Sequence, residues 1–317
     1  MDYIFSHKRD CDGLMSAAIY LRANPSAQIL LIDYYEHEIA NMLNIFNEIM
    51  LKEDRGTIVI TDFMPMESVS QLIISAFSRL KDKGWRIVWI DHHQWRENVK
   101  KSISDVAEIY INTSYCASEL MRKKFGNDDK IYDILAEIGK DTDFHLNLYP
   151  ISLLLTDIIT FYNYSQNEEK LKKLVYKFAQ GILWDYEMNR DWKDYMIMKK
   201  KAINELKPTI VSKKINNYIV SVGFSSKLIS YSEALDIIME RDNSDLGVVV
   251  FPDGSLILRR KENTIIKCNK IAEFFEGGGH LFIAGGILPK DLRNKYERNI
   301  WQNYVLNKIS EALKVIE

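Results

Sequence analysis

Short runs of β-branched and other apolar residues alternate with segments of helical periodicity through the first 145 residues of the 317-residue chain. This alternation limits the fold more than any other feature. The runs are Tyr3–Ser6, Gln28–Ile32, Thr57–Thr61 and Arg86–Ile90, and each is followed by a polar loop and then by apolar residues at helical spacing. Because strands that alternate with helices pair side by side in one direction, the sequence predicts an α/β fold with a parallel sheet in its N-terminal part.

The rest of the chain predicts a helical segment, a connector and a second, smaller α/β domain. Residues 114–184 have mostly helical spacing, and Asn189–Leu206 is predicted to be one exposed connector helix that ends at Pro208. Beyond it we expect three strands, Tyr218–Val222, Leu246–Phe251 and Ser255–Arg259, and the turn at 252–254 joins the last two. A closing helix is predicted from about Arg293 to Val315. The predicted boundaries are 1–187 for the first domain, 188–208 for the connector and 209–317 for the second domain.

Composition excludes several classes of protein. Hydrophobic residues make up 47% of the chain and charged residues 27%, which excludes a disordered or collagen-like protein. A net charge of −2 implies that any nucleic-acid ligand is held locally rather than by a uniformly basic surface. The three cysteines are too few for a disulfide framework, and the longest apolar stretch, residues 151–162, is interrupted by Asp157. We therefore expect a cytoplasmic protein without a membrane anchor.

Imidazole and carboxylate groups follow three of the predicted strands. The first strand leads into residues 7–13, which include His7, Asp10 and Asp12, the third leads into Asp62, and the fourth leads into residues 91–93. The carboxyl ends of parallel strands meet at one edge of a sheet, where ligands bind. A single aspartate at such a place is usually a helix N-cap. Three of the chain's six histidines and four aspartates fall in these segments. Such a cluster would be strongly self-repelling unless cations neutralise it.

The donor types in this cluster predict the metal. Carboxylate oxygens with a few imidazoles favour Mn²⁺ or Mg²⁺ over zinc, and the histidines favour Mn²⁺. The cluster contains more carboxylates than one ion needs as ligands, so one shared aspartate could bridge two ions about 3.5–4 Å apart. Such a pair of ions clamps the attacking and leaving oxygens of phosphoryl transfer, and the sequence therefore predicts cleavage of phosphate esters.

Four ordered motifs give the chain a family resemblance that spans nearly its whole length. The sequence Asp91-His92-His93, preceded by His7…Asp10-x-Asp12-Gly13-x-x-Ser16 and by Asp62, resembles the DHH phosphoesterase superfamily. That superfamily includes RecJ-type exonucleases, nanoRNases, cyclic-dinucleotide phosphodiesterases and family II pyrophosphatases. The sequence Gly277-Gly278-Gly279-His280, followed by Ala284-Gly285-Gly286, resembles the glycine-rich motif of the DHHA1 domain. The resemblance implies a DHH-like catalytic domain and a DHHA1-like substrate-binding domain.

The resemblance also implies roles for individual residues. One metal would be held by His7, Asp10 and Asp62, and the other by Asp12, Asp62, His92 and Asp141, so that Asp62 is the bridge. Among the catalytic residues, His93 would face the substrate phosphate and Asp91 would orient its neighbours. Asp141 matches the fourth-motif aspartate, while Asp143 stands where glycine is usual. Both carboxylates therefore remain candidate ligands, and Asp141 is preferred.

Substrate binding is assigned to the second domain. Arg259 matches the family's substrate-gripping arginine, with Arg260 as the neighbouring alternative, and strand alternation places only one of the two on the binding face. The glycines Gly277, Gly278 and Gly279 would let backbone N–H groups approach a phosphate, and His280 would add a donor.

Together these features predict a two-metal phosphodiesterase with two Mn²⁺ ions, or Mg²⁺ in their place. Its expected substrates are short single-stranded RNA or DNA, or small linear or cyclic nucleotides, which it would hydrolyse to nucleoside monophosphates. A homodimer is compatible with the sequence. One alternative is a catalytically inactive RecJ-like replication scaffold, which the complete ligand set disfavours. Another is a pyrophosphatase, which the Gly277–His280 motif disfavours. RNA or DNA, linear or cyclic substrate, and 5′ or 3′ polarity remain open.

Overall fold

Five parallel strands form the sheet of the N-terminal unit in the order β2-β1-β3-β4-β5. The structure is a computed structural model that describes residues 1–65 and 67–316. The strands of this sheet are β1 Tyr3–His7, β2 Gln28–Ile32, β3 Thr57–Thr61, β4 Arg86–Asp91 and β5 Glu108–Ile111. The predicted parallel α/β sheet is confirmed, and β5 is an edge strand that the sequence analysis missed because it has only four residues, two of them exposed.

Eight helices of this unit cover both faces of the sheet. They are α1 Cys11–Ala23, α2 Glu36–Met50, α3 Glu67–Asp82, α4 Glu97–Ser104, α5 Ala117–Phe125, α6 Lys130–Asp143, α7 Pro150–Tyr164 and α8 Glu168–Ala179. Successive strand residues enter opposite cores: Ile87 and Trp89 pack with α2 and α3, whereas Val88 and Ile90 pack with α1. Burial on both faces explains why the central strands β1, β3 and β4 are mostly apolar.

The strand order creates a crevice at the end of β1. The connection from β1 leads to β2 on one side, and the connection from β2 returns to β3 on the other side of β1. At such a reversal the loops after the two neighbouring strands separate, and ligands of open α/β sheets bind in the space between them. Strand β1 ends with His7, and Asp62 directly follows β3.

The chain consists of two compact units, Met1–Trp192 and Lys193–Glu317. The division falls within helix α9, Tyr186–Leu206, which covers residues 188–206 of the predicted connector 188–208. The prediction that this helix is exposed was wrong for one face. Met188, Tyr195 and Ala202 are buried at seven-residue spacing, because an amphipathic stripe of that period lies on one side of a helix.

The second unit contains a mixed six-stranded sheet in the order β10-β11-β9-β8-β7-β6. Its strands are β6 Val211–Ile215, β7 Tyr218–Phe224, β8 Leu246–Val250, β9 Ser255–Arg260, β10 Gly278–Gly279 and β11 Ile283–Ile287. Its remaining helices are α10 Tyr231–Asp242, α11 Cys268–Ala272, α12 Lys290–Arg293 and α13 Arg298–Ile316. The second α/β domain is thus confirmed as a fold class, with β7 and β8 its one parallel pair among the described strands.

The predicted closing helix from about Arg293 is interrupted. Helix α12 ends at Arg293, and α13 begins at Arg298. The fully buried Trp301 donates from its indole to the carbonyl of Leu292 at 3.0 Å, and Tyr296 packs edge-on against its ring. These contacts turn the chain between the two helices. None of the helices within the described residues combines the length and the apolar character needed to cross a bilayer.

Candidate functional site

Three strand ends of the first sheet bring the predicted metal ligands together. His7 is the last residue of β1, Asp62 directly follows β3, and Asp91 is the last residue of β4. Three sets of side chains each offer ligand atoms that lie within 4.8 Å of one another. They are His7, Asp10 and Asp62; Asp12, His92 and Asp143; and Asp62, Asp91, His92 and His93.

Asp62 lies between the first two of these sets. Its Oδ2 is 3.7 Å from Nδ1 of His7, and its Oδ1 is 3.3 Å from Nε2 of His92. The residue is 2% exposed and adopts the left-handed backbone conformation, with φ at 53°. Aspartate tolerates this conformation better than most residues do, and such uncommon backbones are concentrated at functional sites. One carboxylate thus reaches both sets, as the predicted bridge requires.

The first set is organised by the start of helix α1. Oδ2 of Asp10 lies 3.0 Å from Nδ1 of His7, while its Oδ1 accepts a hydrogen bond from the Gly13 amide as the N-cap of the helix. A Cβ at Gly13 would lie 2.1 Å from the carbonyl oxygen of His7. Only glycine therefore allows α1 to begin this close to the end of β1, and the helix start fixes Asp10 beside His7.

The second set combines two helices and the segment after β4. His92 places Nε2 4.0 Å from Oδ2 of Asp12 and Nδ1 3.5 Å from Oδ2 of Asp143. The carboxylate of Asp12 also accepts the first backbone N–H groups of α5, from residues 117 and 118, at 2.7 and 2.9 Å. Each carboxylate oxygen has a second lone pair for a cation. A Cβ at Gly139 would lie 2.8 Å from Asp12 Oδ1, so glycine is needed there too.

The electrostatics of the site fit bound cations. Burial and the charge of Asp62 raise the pKa of Asp12, and burial and the charge of Asp12 raise the pKa of Asp143. Burial lowers the pKa of His92, but the hydrogen bond to Asp62 and nearby carboxylates outweigh it and raise that pKa to about 10. Oδ2 of Asp62 is buried and has no hydrogen-bond partner among the described residues. Such a carboxylate oxygen costs free energy unless a proton or a cation meets it, and divalent ions fit this donor set.

Asp141 is placed differently from the other predicted ligands. It is 1% exposed, and its two carboxylate oxygens accept the backbone N–H groups of Leu148 and Tyr149 at 2.7 and 3.1 Å. Among the described residues it belongs to none of the three sets, whereas Asp143, two residues later, does. The geometry therefore favours Asp143, the alternative of the sequence analysis, as the carboxylate beside Asp12 and His92.

Asp91 holds the second motif histidine. Its Oδ1 lies 2.7 Å from Nδ1 of His93 and accepts the backbone N–H of His92 at 2.9 Å. Its Oδ2 accepts the indole N–H of Trp95 at 2.6 Å. Burial lowers the pKa of His93, but the hydrogen bond to Asp91 outweighs it and leaves the pKa raised. Asp91 is fully buried, so its contacts at the site are with the neighbouring side chains and backbone rather than with solvent.

Sequence reasoning missed two residues beside the site. Trp95, four residues after Asp91, carries no motif signal. Asp33 directly follows β2, so inspection of all strand ends would have found it. Its carboxylate is hydrogen-bonded by the guanidinium of Arg9, and its Oδ1 lies 3.9 Å from Nε2 of His7. The pair of Arg9 and Asp33 therefore flanks the imidazole on the side away from Asp10.

In the second unit, strand alternation separates the two candidate arginines. Arg259 pairs its guanidinium with Asp236 of α10 and lies 3.5 Å from the hydroxyl of Ser232. Arg260 instead donates to backbone carbonyls of the segment that follows it, at Glu262 and Thr264. Arg259 therefore belongs to the α10 face of the sheet, and Arg260 is used to fix a turn.

The glycine motif forms the edge of the same sheet. Gly278 lies opposite Gly285, Gly279 lies opposite Ala284, and the His280 amide donates to the carbonyl of Ile283 at 2.8 Å. Ile283 is in turn the partner of Arg259 on β9. Gly278 is exposed, and a Cβ there would meet nothing within 4 Å, so it offers open backbone rather than a packing constraint. The predicted substrate-binding residues thus lie on or beside β9 and β10, which are separated by the single strand β11.

Comparison with known proteins gives similarity of fold but no family assignment. No protein-family model matches the chain, and no curated protein matches it. The pGpG-specific phosphodiesterase PggH of Vibrio cholerae is similar in structure, with a TM-score of 0.54 and 10% sequence identity over 96% of this chain and 98% of that one. An uncharacterized protein of Helicobacter pylori G27 aligns over 99% of both chains with a TM-score of 0.46 and 15% identity. The first of these similarities shows that the two-unit α/β fold occurs in a phosphodiesterase.

Proposed function

We propose that this protein is a metal-dependent phosphodiesterase of the DHH type, which hydrolyses short single-stranded oligonucleotides or small linear or cyclic nucleotides to nucleoside monophosphates. The observation that carries the proposal is the position of Asp62, whose two carboxylate oxygens face two sets of ligand atoms at the carboxyl edge of a parallel sheet. The fold similarity to PggH supports the same reaction class.

The residues that would hold two Mn²⁺ or Mg²⁺ ions are His7, Asp10 and Asp62 for one and Asp12, Asp62, His92 and Asp143 for the other. Ions bound there would act as Lewis acids on the phosphoryl oxygens and activate the attacking water. Hydrolysis would join the oxygen of water to phosphorus and break the P–O bond to the sugar oxygen of the neighbouring nucleotide, which takes up the proton that water loses.

The protein's own side chains would then orient the substrate. Because Asp91 holds Nδ1 of His93, the Nε2 of that ring is the nitrogen left to face a phosphate. The raised pKa favours the protonated ring, which can donate to a phosphate oxygen and balance its charge. In the second unit, Arg259 and His280 would bind an oligonucleotide, with Arg259 exchanging Asp236 for a phosphate.

The test is hydrolysis by the purified full chain with Mn²⁺. The panel contains 5′-labelled oligonucleotides of two to ten residues, linear and cyclic dinucleotides, cyclic oligoadenylates and pyrophosphate. We expect release of nucleoside monophosphates from one or more of the nucleotide substrates, abolished by EDTA and restored by Mn²⁺ better than by Ca²⁺, whose larger and more flexible coordination shell suits a two-ion clamp poorly. The proposal would be overturned if pyrophosphate were the only substrate cleaved. It would also be overturned if the protein bound two ions and cleaved none of the substrates.

A further inference from the structure

The loop between α6 and α7, residues 144–149, exposes large apolar side chains directly after a candidate metal ligand. The exposed fractions are 39% for Phe144, 42% for Leu146, 65% for Leu148 and 37% for Tyr149. Asp143, immediately before the loop, lies 3.5 Å from His92. Soluble proteins generally bury side chains of this size, and a group of them beside a polar site marks a binding surface.

This apolar loop 144–149 is held in one conformation by a buried carboxylate. Both oxygens of Asp141 accept loop N–H groups, from Leu148 and Tyr149, and its carbonyl accepts the N–H of Leu146 at 3.0 Å. His145 and Asn147 adopt left-handed backbones with φ of 52° and 56°. Left-handed residues other than glycine persist where the surrounding structure fixes them. The apolar side chains are therefore displayed by a preformed loop.

We propose that the apolar loop 144–149 binds a nucleobase of the substrate next to the scissile phosphate, and that Asp141 is the positioning residue that holds this loop. The inference rests on the proposed function. Ions held by the candidate ligands would bind the phosphate, so the group next to the adjoining loop would be the attached nucleoside. The loop contains Phe144, Tyr149 and two leucines but no lysine or arginine, which suits an uncharged aromatic base rather than a second phosphate.

A second copy of the chain is a less suitable occupant. Side chains of this size bury about 150–250 Å² each when fully covered, so the exposed parts of these four offer on the order of 400 Å². One partner of a stable interface contributes about 800 Å². The loop is large enough for a base and too small, by itself, for a dimer.

The experiment compares a dinucleotide with its abasic analogue, in which both bases are replaced by hydrogen. In the wild type we expect kcat/KM to be about 5- to 150-fold higher for the base-containing substrate, since stacking of a base on an aromatic side chain is worth about 1–3 kcal/mol. Phe144→Ala and Leu148→Ala should lower this ratio severalfold, through a loss on the base-containing substrate. Leu72→Ala is the matched control, because Leu72 is a similarly exposed leucine, 57%, on α3.

A binding measurement separates this inference from the proposed function. A dinucleotide that contains 2-aminopurine is added in Ca²⁺, and quenching of its fluorescence reports stacking on the protein. We expect quenching that weakens in Phe144→Ala and Leu148→Ala but not in Leu72→Ala. Loop-dependent quenching without hydrolysis in Mn²⁺ would refute the proposed function and keep the base site.

Three outcomes would overturn the inference. In the first, the wild type hydrolyses the dinucleotide and both loop variants keep its base preference, a result that does not contradict the proposed function. The second is a change in sedimenting mass on Leu148→Ala with unchanged base preference, which would make the loop a contact between copies. The third is neither hydrolysis nor loop-dependent quenching, which refutes both proposals.

Discussion

The indole N–H of Trp95 donates a 2.6 Å hydrogen bond to Oδ2 of Asp91, the oxygen opposite the one that contacts His93. The carboxylate is thereby held from both sides, and its orientation sets that of the imidazole. Trp95 is 6% exposed and packs edge-on against Trp89, so its own position is fixed by the core. A residue outside the recognised motifs thus controls a predicted catalytic group.

Replacing Trp95 should therefore impair turnover. Trp95→Phe keeps an aromatic ring but removes the donor to Asp91, and a hydrogen bond to a charged group is worth about 1.5–3 kcal/mol. We expect kcat to fall about ten- to hundredfold, with KM and metal content little changed. Trp85→Phe is the matched control, because the buried indole nitrogen of Trp85 has no partner among the described residues. Equal effects of the two substitutions on kcat would reduce Trp95 to a packing residue.

Asp62→Asn should abolish hydrolysis of every phosphodiester. The amide retains the size of the side chain but loses the charge that faces both sets of ligands. We expect the bound Mn²⁺, measured by mass spectrometry of the metal, to fall from two ions per chain towards one or none. Asp105→Asn, at an exposed position of the same unit, is the control. Normal turnover with two ions bound to Asp62→Asn would contradict the bridging role.

Asp141 and Asp143 should respond differently to the same substitution. Asp143→Asn removes a charge beside His92, so we expect lower metal occupancy and lower kcat on all substrates, abasic ones included. Asp141→Asn replaces one acceptor of the loop amides by a donor, so we expect nearly normal metal occupancy and a reduced preference for base-containing substrates. The reverse pattern would identify Asp141 as the ligand.

Arg259→Ala should weaken binding of oligonucleotides without affecting the metals. A charge-assisted phosphate contact is worth about 1.5–3 kcal/mol, so kcat/KM for a dinucleotide should fall tenfold or more. The loss on bis-p-nitrophenyl phosphate should be much smaller, because that ester needs little beyond the reacting centre. The same comparison applies to His280→Ala. Arg298→Ala, at an exposed arginine of the second unit, is the control, and equal losses on both substrates would place Arg259 or His280 in the chemical step.

The buried carboxylate of Asp191 should make the free energy of unfolding depend on pH, independently of the candidate metal site. Burial raises the pKa of Asp191, but hydrogen bonds from Lys170 and Tyr162 outweigh it and leave the pKa below its ordinary value. A depressed pKa in the folded state means that the stabilisation is complete above the unfolded pKa of about 3.9 and is lost as the pH falls through the folded value.

Asp191→Asn should therefore lower the free energy of unfolding by about 2–3 kcal/mol at pH 7. The difference from wild type should shrink below about pH 4. Urea unfolding at several pH values measures it. Asp133→Asn, which removes a half-exposed pair with Arg122, should cost less than about 1 kcal/mol. A constant difference between Asp191→Asn and wild type down to pH 2 would show that the loss is not electrostatic.

The position of the candidate site could be predicted because it depends on local sequence. Strand and helix periodicities identify β1, β3 and β4, and any parallel arrangement of these strands brings the residues that follow them to one edge. His7, Asp62 and His92 were therefore expected to meet without knowledge of packing. The same reasoning extended to all strand ends would have included Asp33.

Tertiary packing decided the finer placement of the side chains. Asp141 and Asp143 lie two residues apart near the end of α6, so their side chains leave the helix about 200° apart and cannot both face the same neighbour. Which of them meets His92 depends on how α6 packs against α1 and α5, and the sequence of α6 alone contains no information on that rotation. In the same way, the left-handed backbone of Asp62, the contact of Trp95 with Asp91 and the buried face of α9 result from contacts between segments distant in the chain. The sequence by itself determined which chemical groups reach the edge of the sheet, whereas the packing of helices on that sheet decided which of their atoms face one another.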